Sequence, residues 1–324
     1  MVLTAGLLAQ RDSVTPFHAV LFTCLVNIAG DFAWVPKLGA VGAAWATLAS
    51  QMLSLPLLVF LSRRRQRLPI KLRLPDRKTL RPLVSASGPL MLFEMGMSVG
   101  YVMIQSLGTQ FSVAATAAFQ AIWSPLAFIG FSVFPLKQAA QVFMPGVLRE
   151  EPKTVGGKAK SFEFFKVVTL LASVYGVFIT MASAACAGLP ALLTQDIALW
   201  PMIKSFKPFV SIAMAVLPFA IAFEGVLLGM GDLKYLAQCQ ILNIVTAIAT
   251  FCLTKQAGMG VHGTWVVLIA FYFSRFWQAA ARILTNRKAF RVPEKTEIIR
   301  DVIPSAEFNT TLSLNSTLVG QLVT

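Results

Sequence analysis

Apolar side chains cover nearly every helical face of eight long runs, near residues 17–36, 39–61, 83–106, 114–143, 164–187, 208–229, 235–254 and 261–284. At about 1.5 Å of rise per residue, each run can cross the roughly 30 Å of hydrocarbon in a bilayer as a helix. Barrel strands would alternate with period 2 over about ten residues, and these runs do not alternate. The pattern predicts an all-α, polytopic membrane protein of about eight transmembrane helices. Between Gln10 and Pro16 the polar break holds Asp12 and Ser13, which are placed to cap the helix beginning near Pro16. The stretch from Gly39 to Ser50 is rich in small residues at helical spacing, which suits close helix packing.

The polar residues inside these runs are the candidate chemistry. A charged residue at the centre of a bilayer costs roughly 2.5 to 3.5 kcal/mol on insertion scales, so an acid held there points to function. Glu224 follows Pro218 in an otherwise apolar run that leaves through Gly229, Gly231 and Asp232. Glu94 lies near mid-depth of the third run, after Gly88-Pro89, where a proline frees a backbone carbonyl. Both are candidates for cation or proton coupling; Glu224 has the alternative of an ion pair with Arg275 in the eighth run. Lys137 either snorkels to the interface or pairs with Glu94. Asn27 and Asp31 are four apart on one helix face, as a hydrogen-bonded structural pair or as a polar seam lining a cavity. Gln120 and Asn243 are further candidate cavity polar groups. Met91, Met95, Phe119, Trp123 and Met214 suit an organic solute, and equally suit packing.

Composition agrees with a membrane setting. Of the 324 residues, 56% are apolar and 13% charged, against about 25% charged in soluble domains. The net charge of +14 forms no basic stripe interleaved with exposed aromatics, which argues against nucleic acid as a partner. It marks topology instead. With the N-terminal side inside, 22 Lys and Arg fall in inner segments and four, Lys37, Lys204, Lys207 and Lys255, in outer ones. That asymmetry predicts both ends on the cytoplasmic or stromal side. The basic segment 62–82 reads as a linker that also touches anionic headgroups, and 285–324 as a polar, partly disordered tail. Two sequons in that tail, at Asn309 and Asn315, would go unused on the inner side. The four cysteines stand singly in apolar runs, and with His18 and His262 as the only histidines no metal site is expected. No aspartate-rich diphosphate motif or histidine cluster supports an enzyme.

An internal repeat organises the chain. Leu7-Leu8 is followed by Asp12 as Leu227-Leu228 is by Asp232, and Gly39-Ala40-Val41-Gly42 corresponds to Gly260-Val261-His262-Gly263. Two homologous helix pairs running in one direction imply lobes related by an axis along the membrane normal. The expected units are residues 1–61, the last two helices of one lobe, and residues 83–284, a complete six-helix lobe. About four helices are then expected upstream of Met1.

In order and spacing, these residues resemble the multidrug and toxic compound extrusion (MATE) family. The matching pieces are Arg11-Asp12 with Thr15-Pro16, Asn27 with Asp31, the Gly39 to Thr47 segment, and Glu224-Gly225-Val226-Leu227-Leu228-Gly229 with Gly231-Asp232. The version with Asp232-Leu233-Lys234-Tyr235 looks most like plant and algal plastid-type members. The resemblance implies a secondary active transporter, monomeric at full length, that exports a small organic solute in exchange for H⁺ or Na⁺ and needs no cofactor. It places the second-lobe coupling acid at Glu94, with Glu224 the second candidate. Desolvation draws proton binding by a carboxylate toward physiological pH, which is what proton coupling requires. The competing expectations are a related flippase for lipid or lipid-linked saccharide, and an inactive truncated fragment.

Overall fold

The computed structural model describes residues 4, 7, 12–64, 77–150 and 158–285, and every regular element among them is helical. The helices are α1 (Val14–Leu38), α2 (Ala40–Arg64), α3 (Arg77–Gly108), α4 (Val113–Phe131), α5 (Phe134–Glu150), α6 (Lys158–Gly188), α7 (Trp200–Ser205), α8 (Lys207–Gly229), α9 (Leu233–Gln256) and α10 (Val261–Thr285). Among the described residues, seven segments are long and apolar enough to cross a membrane. The eighth expected run is present as α10, 25 residues long, but its polar residues, Arg275 among them, take it below that hydropathy standard. The protein is an all-α, multi-pass integral membrane protein. Arg11, most of the expected linker, the expected tail and both sequons lie outside the described residues.

The chain divides into two compact units, Met1–Pro75 and Asp76–Thr324. In the first, α1 and α2 form an antiparallel hairpin. Its helix start was legible: the Asp12 carboxylate accepts from the backbone N–H of Val14 and Thr15 at 3.2 and 3.1 Å and from the Thr15 hydroxyl at 2.8 Å. Ser13, the other expected cap, makes no capping bond. The helices reverse at Gly39, whose φ of 57° is left-handed and costs a residue with a Cβ roughly 1 kcal/mol or more. The small-residue face works as packing. A Cβ on Gly42 would lie 2.5 Å from the Trp34 carbonyl oxygen, and one on Gly30 2.8 Å from Ala46 Cβ.

The second unit is built around α8. Its nine consecutive residues Ala220 to Leu228 are all buried, more than two turns, so every face is covered by protein. Helices α5, α6 and α10 pack on it directly, and α9 joins α3 to α10. Two apolar clusters result. One gathers Phe119, Leu217, Ile221, Trp265 and Phe271, the other Phe93, Phe223, Val226, Leu227 and Ala279. Tyr101 packs against both.

The expected single helix at 114–143 is broken into α4 and α5. Ser132 and Val133 close tight turns onto Ile129 and Gly130 at 3.2 Å each. Pro135, which lacks an N–H and disfavours α geometry in the residue before it, stands at the start of α5. A run in which Ser132 is the one polar residue near the turn hides such a break.

The repeat holds at the level of single hydrogen bonds. The Asp12 N–H donates to the Leu7 carbonyl at 3.0 Å, and the Asp232 N–H to the Leu227 carbonyl at 3.1 Å. Gly39 and Gly260 have φ of 57° and 55°, and in both turns the glycine three residues on donates back at 3.0 Å.

The α1–α2 hairpin therefore depends on backbone contact at Gly42. Gly42→Ala is expected to cost about 1–3 kcal/mol through overpacking, read as a lower Tm in detergent by circular dichroism. An unchanged Tm would contradict the close approach.

Candidate functional site

Two ion pairs with a buried cation and one amide network stand out among the polar residues of the second unit. Glu224 projects from the buried stretch of α8, and Arg275 from α10; each is 2% exposed. Arg275 Nε donates to Glu224 Oε1 and Nη2 to Oε2, both at 2.7 Å. This is the bidentate geometry that suits a guanidinium and a carboxylate. The remaining donor capacity goes to α3: Nη1 donates to the Tyr101 hydroxyl and Nη2 to Met97 Sδ, each at 3.0 Å. The rings of Phe271, Tyr101 and Tyr272 surround the guanidinium at 5.4 to 5.9 Å. The pair thus sits in the seam between the two apolar clusters.

The second pair is set differently. Lys137, three residues into α5, is 5% exposed, and its Nζ donates to Glu94 Oε1 on α3 at 3.2 Å. Of the two expected alternatives for Lys137, pairing is what occurs. Its ammonium also lies 4.9 Å from the Phe93 ring centre and 5.9 Å from that of Phe134. The Glu94 side chain is 52% exposed, so a buried cation here meets an accessible anion.

Helix α3 links the two pairs. Glu94, Met97 and Tyr101 are spaced i, i+3, i+7, which puts them on one stripe. Met97 and Tyr101 were not expected at the site; the same spacing rule applied outward from Glu94 would have found them. On the other side, Gly225 adjoins Glu224 and presses on α5. A Cβ there would lie 2.5 Å from the Lys137 carbonyl oxygen and 2.9 Å from its Cα.

Asn243 belongs to a network rather than to an open cavity wall. Its Oδ1 accepts from the Ser274 hydroxyl at 2.8 Å and from Gln278 Nε2 at 3.0 Å, and its Nδ2 donates to Gln240 Oε1 at 3.2 Å. Beside it is a void of about 10 Å³ lined by Glu224, Tyr235, Asn243, Arg275 and Gln278, at the lower limit for one water. Near the ends of the helices, Arg282 donates to Asp232 at 2.7 Å. Gln120 stands apart, half-buried on α4.

In the first unit, Asn27 and Asp31 are not bonded to each other. Asn27 Nδ2 instead reaches Thr47 on α2 at 3.2 Å, because the facing helix offers a hydroxyl on the side Asn27 occupies. Asp31 Oδ1 is buried without a hydrogen-bond partner among the described residues. It lies at the wall of an open cavity of about 540 Å³ lined by Ile28, Phe32, Val35, Pro36 and Ala43. Of these two residues, Asp31 lines the cavity and Asn27 bonds across the hairpin. No group of three or more His, Cys, Asp or Glu able to hold a metal occurs among the described residues.

Comparison with known proteins finds a family model, a curated relative and solved structures that the chain is similar to. The family model for the lipid II flippase MurJ matches residues 1–119. Protein DETOXIFICATION 47, chloroplastic, from Arabidopsis thaliana is 25% identical over 289 residues, 88% of this chain and 52% of its own length. The chain thus spans about half the length of this curated relative. Among solved structures, the Vibrio cholerae MATE transporter VcmN superposes with a TM-score of 0.73 at 17% identity, covering 90% of this chain and 66% of that one. A MOP superfamily transporter from Pyrococcus furiosus gives 0.70 at 17% identity, covering 87% and 64%. At such identities the superpositions establish the fold. In fold the chain is similar to the multidrug and toxic compound extrusion (MATE) transporters, and in sequence to the Arabidopsis protein over 88% of its length.

Proposed function

We propose that the chain acts in secondary active transport, exporting an organic solute in exchange for H⁺ or Na⁺ by alternating access. It carries no enzymatic step and needs no cofactor beyond the coupling cation. The reading rests on the contrast between the two acids. Both oxygens of Glu224 are held by a buried guanidinium, and a cation binding there would leave Arg275 uncompensated, at a cost of several kcal/mol. Glu94 is half-exposed, and among the described residues only one of its oxygens is engaged. It has both access and spare coordination for H⁺ or Na⁺.

Loading Glu94 removes the charge that faces Lys137. The ammonium then keeps a neutral oxygen acceptor and the rings of Phe93 and Phe134, the rings worth about 0.5–2 kcal/mol each. Against these stands the desolvation of a buried charge, several kcal/mol, with no opposite charge left to offset it. The contact between α3 and α5 must rearrange, which gives cation binding a mechanical output. Glu224 and Arg275 hold the lobe together while this happens. Asp31, with its unpartnered oxygen at a cavity wall, is a polar group for solute or cation in the other unit.

The chloroplastic designation of the Arabidopsis relative supports a plastid membrane, with both ends of the chain on the stromal or cytoplasmic side. Flipping of a lipid-linked head group is supported by the family-model match over residues 1–119. It would call for free cations in the helices, whereas Lys137 and Arg275 are both paired.

In proteoliposomes, Glu94→Gln is expected to abolish solute flux driven by a pH or Na⁺ gradient, and unaltered flux would sink the coupling role. Glu224→Gln alone is expected to lose about 3–5 kcal/mol of stability by stranding the Arg275 charge. Adding Arg275→Gln should recover more than half of that loss, read as Tm in detergent. A double variant less stable than Glu224→Gln would show that the two side chains do not act as a pair.

A further inference from the structure

The two ion pairs are not independent features of the lobe. Glu94 and Lys137 join α3 to α5; Glu224 and Arg275 join α8 to α10; Tyr101 and Met97 return the Arg275 contact to α3. The ring closes at Gly225, where the α8 backbone meets the α5 backbone at Lys137 itself. We propose that the two pairs form one coupled unit, and that Gly225 is a positioning residue seating Lys137 against α8, so that a change in the charge of Glu94 is felt at the Glu224–Arg275 pair.

The argument is steric and electrostatic. Lys137 has little freedom to follow Glu94 by moving its backbone, because α5 cannot come closer to α8 at this level. Nor can α8 withdraw without dragging Glu224 from a guanidinium held at 2.7 Å on two oxygens. Close-packed helices of this kind shift as bodies rather than deform atom by atom. One turn along α8, Gly229 makes an equally tight approach to α5: a Cβ there would meet Met144 Cβ at 2.6 Å and the Gln141 carbonyl oxygen at 3.0 Å. Gly229 touches neither ion pair, so it supplies the control.

The test is a pair of double-mutant cycles on the purified chain in detergent, read as Tm. Gly225→Ala and Gly229→Ala are each measured with Glu94 intact and with Glu94→Gln. Both glycine variants should lower Tm. In the Glu94→Gln background the drop from Gly225→Ala should shrink by about half, because the pair it disturbs is already gone, while the drop from Gly229→Ala stays the same. Equal drops from Gly225→Ala in both backgrounds would overturn the proposal, as would equal shrinkage for Gly229→Ala. If Gly225→Ala does not fold, a third cycle decides. The Glu94→Gln drop is then compared with and without the Glu224→Gln/Arg275→Gln pair, and strict additivity rejects coupling. The functional consequence rests on the reading that Glu94 couples transport. Under it, Gly225→Ala lowers maximal flux at least tenfold with half-saturation little changed, whereas Gly229→Ala stays within twofold of wild type. Absence of flux in every variant, wild type included, would count against the transport reading, and the thermal cycles would still decide the inference.

Discussion

A buried guanidinium and a buried carboxylate, bonded at both oxygens, set the arrangement of the second unit. Removing two charges from water costs several kcal/mol per ion before any return. The return here comes from two 2.7 Å bonds, from Tyr101 and Met97, and from three aromatic rings around Arg275. These partners sit on α3, α8 and α10, and each must be in place for the pair to be tolerated. That requirement fixes how α3, α8 and α10 are rotated about their own axes. Apolar packing alone would fix it poorly, since in lipid a leucine gains little by facing protein instead of acyl chains.

The second pair follows an opposite logic. A lysine is buried and its acid is left half-open, so the costly member is shielded and the chemically responsive member is reachable. The two acids of the lobe thus differ less in depth along their helices than in how completely their partners hold them. Depth and the family resemblance were the sequence criteria that ranked Glu94 first. The degree of engagement by partners is a separate physical reason for the same ranking.

What could be read from the chain was whatever depends on one helix at a time. Run length gave the helices, Asp12 gave a cap, and the spacing of Leu227-Leu228 and Asp232 against Leu7-Leu8 and Asp12 gave the repeat. Pairings between helices were legible only where charge made them nearly obligatory, as for Glu224 with Arg275 and Lys137 with Glu94. Neutral polar groups have many acceptable partners, so Asn27 went to Thr47 rather than to Asp31, and the Asn243 network with Ser274 and Gln278 was not foreseen. The α4–α5 break was hidden for a related reason. Apolar side chains flank both sides of it, and a lone Ser132 leaves too small a mark on the periodicity.

The turns at Gly39 and Gly260 bear on how such a chain enters a membrane. Each closes a pair of helices about 25 residues long with backbone bonds made inside the turn, so little peptide polarity is left for lipid to meet. A hairpin of that kind can leave the insertion machinery as a finished object, with contacts near in sequence made first and quickly. The second hairpin then delivers Arg275 already flanked by Asn243 and Gln278, at a time when α8 has emerged with Glu224. Chain order thereby brings the anion to the membrane before its cation, and the second hairpin is the one that neutralises it.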